Sequence, residues 1–550
     1  MHPCLQIDEI LRKIANELSM PTLGGKSQFR DLALTCHTFY EPAMDILWVP
    51  FPEAGLEYDQ LHLTQPPDIL VMARTPLPQE WARFAHHARR ITRVSIEHWD
   101  VDEESAIHPN CWAAMAEFER LSGTRLFPRV KSLMIGSAQE LENACFLFIG
   151  PALLTLEGHT SDRATMEQVF GAVRERGTNL QDVEFLHADW SGQDDVQEPF
   201  SRALLSPLEN LRTLSVPCPD LSPEALVAVA QRPLLETFYC TISAKHAPLL
   251  RDPTLPPIFF AALRCLSVSC EPTDLGTLTR FLNELTSPSF LATLQIQCEL
   301  SPNLSALPNL LIAVSRFENL RGLVLHLHFP ASATMTNNPF DSLLDSSALS
   351  PLFALHHIRL LSLHGIPIAF WHREGIHDMA RAWPHLSHFA FYYWAGRHLS
   401  LHQPVMCLSL EELSHFAAHC PMLSRIRVSL QPIPARWTYN RTAALPVSFA
   451  SRIDWKGSEI SADAVGEVSS YLASVFPLAR LKDKDWGSRP RTTEEAVTTE
   501  IEKVRDRLVS GSLEDIRHRR DEVLTAYSRL KSDPEREWVS LLERESYTFR

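Results

Sequence analysis

No stretch of the chain reaches the ~20 consecutive apolar residues that a membrane helix requires, so a membrane-spanning protein is not expected. The N-terminal run Met1-His2-Pro3-Cys4-Leu5-Gln6-Ile7-Asp8-Glu9 has neither the basic start nor the apolar stretch of a secretory signal. Export is therefore not expected, and the glycosylation patterns at Asn303-Leu304-Ser305 and Asn440-Arg441-Thr442 carry no weight. A basic stripe is also lacking: 51 Lys and Arg stand against 66 Asp and Glu, a formal charge of −15, which argues against a phosphate-backbone partner. Closely paired cysteines are few. Of 11, only Cys265 and Cys270 lie near one another, a pattern of reduced thiols in a cytoplasmic or nuclear protein.

The motifs of catalysis are missing in the same way. There is no Gly-x-Ser-x-Gly elbow, no glycine-rich dinucleotide fingerprint after a strand, and no cysteine spacing suited to zinc. Gly24-Gly25-Lys26-Ser27 has the end of a phosphate loop, but Met20 stands where that motif needs glycine, and a turn between helices is the expectation. His415 and His419 lie four apart on an expected helix, a spacing that suits a metal, yet Phe416 occupies the place of the general-base Glu of zinc proteases. No catalytic residue, metal or cofactor is expected, and an enzyme is the lesser alternative.

What the chain does have is length and apolar content. At 550 residues it exceeds a typical single domain several-fold, and 45% hydrophobic with 21% charged residues is the composition of a folded protein. Several domains or one long repeat array are expected.

Ile7, Ile10, Leu11, Ile14 and Leu18 recur at three- and four-residue spacing, which predicts an amphipathic helix ended by Pro21 and Gly24-Gly25. Phe29, Leu32, Ala33 and Cys36 predict a second helix, and Pro42 opens a third carrying Ala43, Ile46 and Leu47. Three such short helices bury little alone and need either the following chain or a partner. The segments Glu9-Ile10-Leu11-Arg12-Lys13-Ile14-Ala15-Asn16-Glu17-Leu18 and, more specifically, Asp31-Leu32-Ala33-Leu34-Thr35-Cys36-His37-Thr38-Phe39-Tyr40-Glu41-Pro42-Ala43-Met44-Asp45-Ile46-Leu47-Trp48 resemble the F-box family, particularly fungal F-box proteins with leucine-rich repeats. The resemblance implies a non-catalytic handle that docks a Skp-type adaptor and, through it, a cullin-RING ubiquitin ligase. It places Glu9, Ile10, Leu11, Ile14, Leu32, Cys36, Phe39 and Trp48 against that adaptor. The Leu-Pro pair usual before the acidic residue reads Gln6-Ile7 here. The alternative is a helical cap over the end of a repeat array.

From Ile91 a pattern returns: apolar, two variable, apolar, one variable, apolar. It fits Ile91/Val94/Ile96, Val130/Leu133/Ile135, Leu180/Val183/Phe185, Leu211/Leu214/Val216, Leu263/Leu266/Val268 and Leu291/Leu294/Ile296. It continues at Leu320/Leu323/Leu325, Ile358/Leu361/Leu363, Leu386/Phe389/Phe391 and Leu423/Ile426/Val428, with weaker cases at Leu153/Leu156 and Leu235/Phe238/Cys240. Helix-like stretches lie between, including 222–232, 274–285 and 408–420. Parallel strands need such crossovers, so a leucine-rich-repeat solenoid is expected, with a curved parallel sheet inside and helices outside. Period-two alternation turns the variable residues onto the concave face. Late in the array these are His364, His388, Tyr392, Arg425 and Arg427, the expected contacts for a protein substrate of unknown identity.

After a last helix and short strand at 461–481 the composition becomes densely charged with mixed signs. Val497, Ile501, Val504 and Leu508 suggest an exposed amphipathic helix, either solvated or partner-binding. The expected organisation is an F-box-like helical module at 1–50, a connecting segment at 51–90, irregular repeats at 91–481 and a charged helical tail at 482–550. Overall this is an α/β protein read as a substrate receptor, the alternative being a ubiquitin-independent binding scaffold.

Overall fold

The structure is a computed structural model that describes residues 40–41, 44, 76–96, 109–135, 145–158, 163–176, 179–185, 208–215, 221–251, 260–270, 275–285, 290–299, 306–328, 344–365, 368–370, 373–392, 408–428, 430, 433, 436–439, 448, 450, 452–455, 464–476 and 480–481. Most of the helical module expected at 1–50, and all of the tail expected at 482–550, lie outside the described residues. The chain divides into two compact units, one ending at Thr241 and including Phe260–Ala262, the other comprising Ile242–Phe259 and everything from Leu263.

In the first unit a lead-in helix, α1 (Pro78–Ala88), starts with proline in its first turn, and Glu80 accepts the backbone N–H of Leu77 at 2.7 Å. Strands β1 (Arg93–Ile96), β2 (Ser132–Ile135), β3 (Thr155–Gly158), β4 (Asp182–Phe185), β5 (Thr213–Ser215) and β6 (Thr237–Ile242) follow. Each pairs with the next in parallel. Helices α2 (Pro109–Ser122), α3 (Cys145–Phe148), α4 (Arg163–Arg176) and α5 (Pro223–Ala230) lie between the strands in sequence. Helix α5 starts where the sequence signals it: the Ser222 side chain accepts the Ala225 N–H at 3.2 Å and Pro223 takes the first turn.

Parallel register puts one residue of each repeat in a continuous row, and the apolar row is the core. Val94, Leu133, Leu156, Val183, Leu214 and Phe238 are successive partners, and the last five are fully buried. Strands β2, β3 and β4 alternate buried and half-buried residues, the period-two signature of a sheet packed hard on one face. Phe185 fills the space beside Gly158, its register partner, where a Cβ would run into the ring. The first strand is closed off by aromatics: Trp81 of α1 stacks on Phe118 of α2 at 4.7 Å, and Phe127 meets Phe84 at 6.2 Å and Phe148 at 4.6 Å. Arg90, just after α1, pairs with the carboxylate of Glu41 and donates to its carbonyl at 3.4 Å, tying the end of the N-terminal segment to the lead-in helix.

The second unit repeats the scheme with β7 (Cys265–Cys270), β8 (Thr293–Glu299), β9 (Gly322–His328), β11 (Leu360–His364), β13 (His388–Tyr392), β14 (Arg425–Val428), β15 (Arg452–Trp455) and β16 (Arg480–Leu481), again paired in parallel in that order. A separate two-stranded parallel sheet of β10 (Leu344–Asp345) and β12 (Ile368–Phe370) sits apart from it. The crossovers are α6 (Leu275–Glu284), α7 (Leu307–Ser315), α8 (Arg373–Ala382), α9 (Leu413–His419) and α10 (Val465–Val475). One crossover is different. Ser346–Ala354 is a 3₁₀ helix, and with three residues per turn it lines up Leu349, Leu352 and Leu355, all fully buried, as an α-helix would not.

The core row here runs Leu266, Leu294, Leu323, Leu361, Phe389, Ile426 and Ile453, each at most 1% exposed. Phe389 stacks on Phe416 of α9 at 4.5 Å, so the helices cover this face. The fold is α/β with all-parallel strands, as the periodicity predicts. Each expected repeat supplies a strand, including the weak ones at Leu156 and Phe238, the first apolar position of each lying just before its strand and Val216 lying outside the described residues.

Candidate recognition face

The face opposite the leucine row is built by the residues between the core positions. In the second unit, register orders them in rows. One row runs Cys265, Thr293, Gly322, Leu360, His388, Arg425, Arg452 and Arg480. The next runs Ser267, Gln295, Val324, Ser362, Ala390, Arg427 and Asp454. A third runs Ser269, Gln297, His326, His364 and Tyr392.

The five residues expected to contact substrate therefore come together on three neighbouring strands. His364 is a register partner of Tyr392, and His388 of Arg425, while Arg427 sits beside Ala390. They differ in access. Arg425 and Arg427 are half-buried on β14, whose Ile426 and Val428 take the core positions. His388 is half-buried and its Nδ1 lies 2.9 Å from the Ser387 hydroxyl, which donates to the Arg359 carbonyl at 2.9 Å. His364, expected as an exposed contact, is only 9% exposed. Its ring stacks on His326 at 4.1 Å and its Nε2 lies 2.6 Å from the Ser362 hydroxyl, so tertiary packing has drawn it inward. Gln295 and Val324 are buried on the same face, whereas His388 and Ala390 of β13 and Arg425 and Arg427 of β14 are half-buried.

Sequence reading missed Arg452, Asp454 and Arg480. Strand β15 reads Arg452-Ile453-Asp454-Trp455, with one aliphatic core residue where earlier repeats have two, so the leucine pattern does not flag it. It missed the first unit's face as well. There Arg93, Ser132, Thr155, Asp182, Thr213 and Thr237 form one row, and Ser95, Met134, Glu157, Glu184 and Ser215 the next. Three carboxylates thus meet on adjacent strands. Burial, reinforced by the charges of Glu157 and Asp182, pushes the Glu184 carboxyl up to about 7.

That shift has a pH signature. Because the folded chain holds this proton more tightly than the unfolded chain, the stability it confers is complete below the ordinary carboxylate range and is lost as pH rises toward 7. Glu184→Gln is expected to flatten this decline and to stabilise the first unit by on the order of 1–2 kcal/mol near neutral pH and above. Urea midpoints of the two proteins followed across the window test it. An unaltered pH slope in Glu184→Gln would assign the titration elsewhere.

The groups that sequence reading weighed for chemistry are accounted for in part. His415 and His419 are joined by His377 of α8, with ring centroids at 5.3 and 5.1 Å, and desolvation, His377 and Arg381 together hold the His419 pKa down. Phe416, between them in sequence, is fully buried against Phe389. Among the described residues no group of three His, Cys, Asp or Glu is arranged to hold a metal ion. Cys265 and Cys270 share a strand, whereas the thiols that touch are Cys270 and Cys298, in register on neighbouring strands at 2.9 Å. Burial pushes the Cys420 thiol up to about 12, and its sulfur lies 3.4 Å from the Trp383 carbonyl, which keeps it a neutral packing group. Gly24-Gly25-Lys26-Ser27 and the adaptor-facing positions Glu9, Ile10, Leu11, Ile14, Leu32, Cys36, Phe39 and Trp48 lie outside the described residues. No described helix is long and apolar enough to cross a membrane.

Compared with known proteins, the chain matches no family description and no curated sequence.

Proposed function

We propose that this chain is a non-catalytic substrate receptor: a leucine-rich-repeat solenoid that holds a protein substrate, joined to an F-box-like handle that docks a Skp-type adaptor and through it a cullin-RING ubiquitin ligase. The observation that supports it best is the parallel register itself. A sheet of short parallel strands with its apolar row sealed by helices leaves the other face as a broad, polar surface formed by many repeats, which suits protein recognition better than small-molecule chemistry. The handle rests on the resemblance of the segment from Asp31 to Trp48, whose Glu41 is ion-paired to Arg90 at the start of the array.

Co-purification with a Skp-type adaptor is the direct test. Leu32→Ala, Phe39→Ala and Trp48→Ala combined are expected to lower adaptor capture by roughly tenfold or more, because a few buried apolar and aromatic anchors carry most of such an interface. Melting of the repeat array should not change. No capture by the wild-type chain would leave the ubiquitin-independent scaffold as the better reading.

A further inference from the structure

We propose that Cys270 and Cys298 form a redox-sensitive catch, which a hydroperoxide closes into a disulfide tying β7 to β8 and a dithiol reopens. The two are register partners at the C-terminal ends of neighbouring parallel strands, and their sulfurs lie 2.9 Å apart. Period-two alternation puts both on the core face, one level beyond Val268 and Ile296, where they are 7% and 1% exposed. In the next repeat the same level is held by Leu327, also buried. A pair of thiols therefore occupies a level that an aliphatic side chain fills in the following strand. Neighbouring strands lie about 4.8 Å apart, inside the span of about 4.4–6.8 Å between the Cα atoms of a disulfide, so the bond closes without separating the ladder. Cys265 shares β7 with Cys270 but stands an odd number of residues from it, which turns it to the opposite face.

The difference in exposure orders the steps. Cys270, the last residue of β7 and the more accessible of the pair, meets the oxidant first. Its thiolate attacks one oxygen of the hydroperoxide: an S–O bond forms, the O–O bond breaks, and the departing oxygen takes up the thiol's proton. The Cys298 Sγ then attacks the Cys270 sulfur while its own proton passes to the leaving oxygen, so that the S–S bond forms, the S–O bond breaks and water departs. Two thiols are oxidised by two electrons in all, and hydrogen peroxide is reduced to two waters. Because both sulfurs are buried, oxidation waits on local opening at the strand ends and is slow beside that of an exposed thiol. The two cysteines are 28 residues apart with α6 between them, so the bond closes one whole crossover into a covalent loop.

The test uses the full-length chain, hydrogen peroxide and dithiothreitol. Peroxide treatment, then denaturation with alkylation, is expected to give one dominant crosslink, joining Cys270 to Cys298 in a peptide mass map, and dithiothreitol should return both thiols. The oxidised chain should melt several degrees higher, with slower hydrogen exchange in β7, α6 and β8 and little change in β13 and β14. Cys298→Ala should leave the Cys270 sulfur as a sulfenic acid that a dimedone probe labels, whereas Cys270→Ala should cut labelling at Cys298 at least several-fold. Cys265→Ala should leave the crosslink unchanged. The wild-type crosslink is read without any variant, so a variant that folds poorly does not decide the outcome. A crosslink dominated by another cysteine pair, a sulfinic acid at Cys270 in place of the bond, or both thiols recovered after prolonged excess peroxide would overturn the catch. It stands or falls apart from the receptor reading, because neither cysteine belongs to the handle or to the residues expected to hold substrate.

Discussion

Replacing Trp383 with alanine is expected to remove about 4 kcal/mol from the stability of the second unit. Trp383 follows α8 and is fully buried. Its ring meets Phe353 edge-on at 5.7 Å, and its indole N–H donates to the carbonyl of Leu352 at 3.2 Å. Its own carbonyl lies 3.4 Å from the Cys420 sulfur. The side chain therefore joins the end of α8 to the 3₁₀ crossover, and its loss empties a cavity at that junction and leaves the Leu352 carbonyl with the Leu355 N–H alone at 3.0 Å, while the main-chain contact with Cys420 is kept. Trp383→Phe keeps much of the volume but not the hydrogen bond and should cost about 1–2 kcal/mol. In an array stabilised by neighbour-to-neighbour interfaces the damage should be local, so hydrogen exchange is expected to rise first in β11, β13 and β14 and least in the first unit. Urea unfolding followed by circular dichroism gives the magnitude; a loss below about 1.5 kcal/mol for Trp383→Ala would mean that the junction collapses around the gap.

The second large effect is expected at Gly365. It closes β11 with φ of +72°, and a Cβ built there would run into the backbone carbonyl oxygen of Leu327 in β9. Backbone cannot step aside as a side chain can, so alanine must both occupy the left-handed region and push the two strands apart, a cost of about 3 kcal/mol in total. Gly123 is the internal control. It ends α2 with φ of +64°, its N–H donating to Glu119 at 2.9 Å, and nothing lies within 4 Å of a Cβ built there. Gly123→Ala should therefore cost only the conformational part, about 1 kcal/mol. Equal losses for the two glycines would show that the contact with Leu327 relaxes freely. The residue before Gly365 is His364, stacked on His326 of the same β9, so Gly365→Ala should also disturb that histidine pair and shift its ring resonances.

The repeat pattern made much of this architecture legible. Three apolar positions per repeat are enough to place each strand and its buried face, because period-two alternation ties core identity directly to sequence position. Where the pattern thins it fails. Strand β15 carries Ile453 without a second aliphatic residue, and the 3₁₀ turn at Ser346–Ala354, interrupted by Pro351, has no helical period to detect. Of the five residues predicted for the recognition face, Arg425 and Arg427 alternate with buried neighbours as read, whereas His364 is packed away by a partner 38 residues earlier in the chain.

The rows across strands were not legible in the same way. Sequence determined which residues of each repeat face the core, since that depends only on local alternation along one strand. It also marked the capped start at Ser222-Pro223, since caps are local hydrogen bonding. Only the tertiary structure decided which repeats align and at what level. Register joins residues tens of positions apart through backbone hydrogen bonds, and repeats of unequal length leave no fixed offset from which to count. That alignment set His388, Arg425, Arg452 and Arg480 side by side, collected Glu157, Asp182 and Glu184 on one face, and brought His364 under His326.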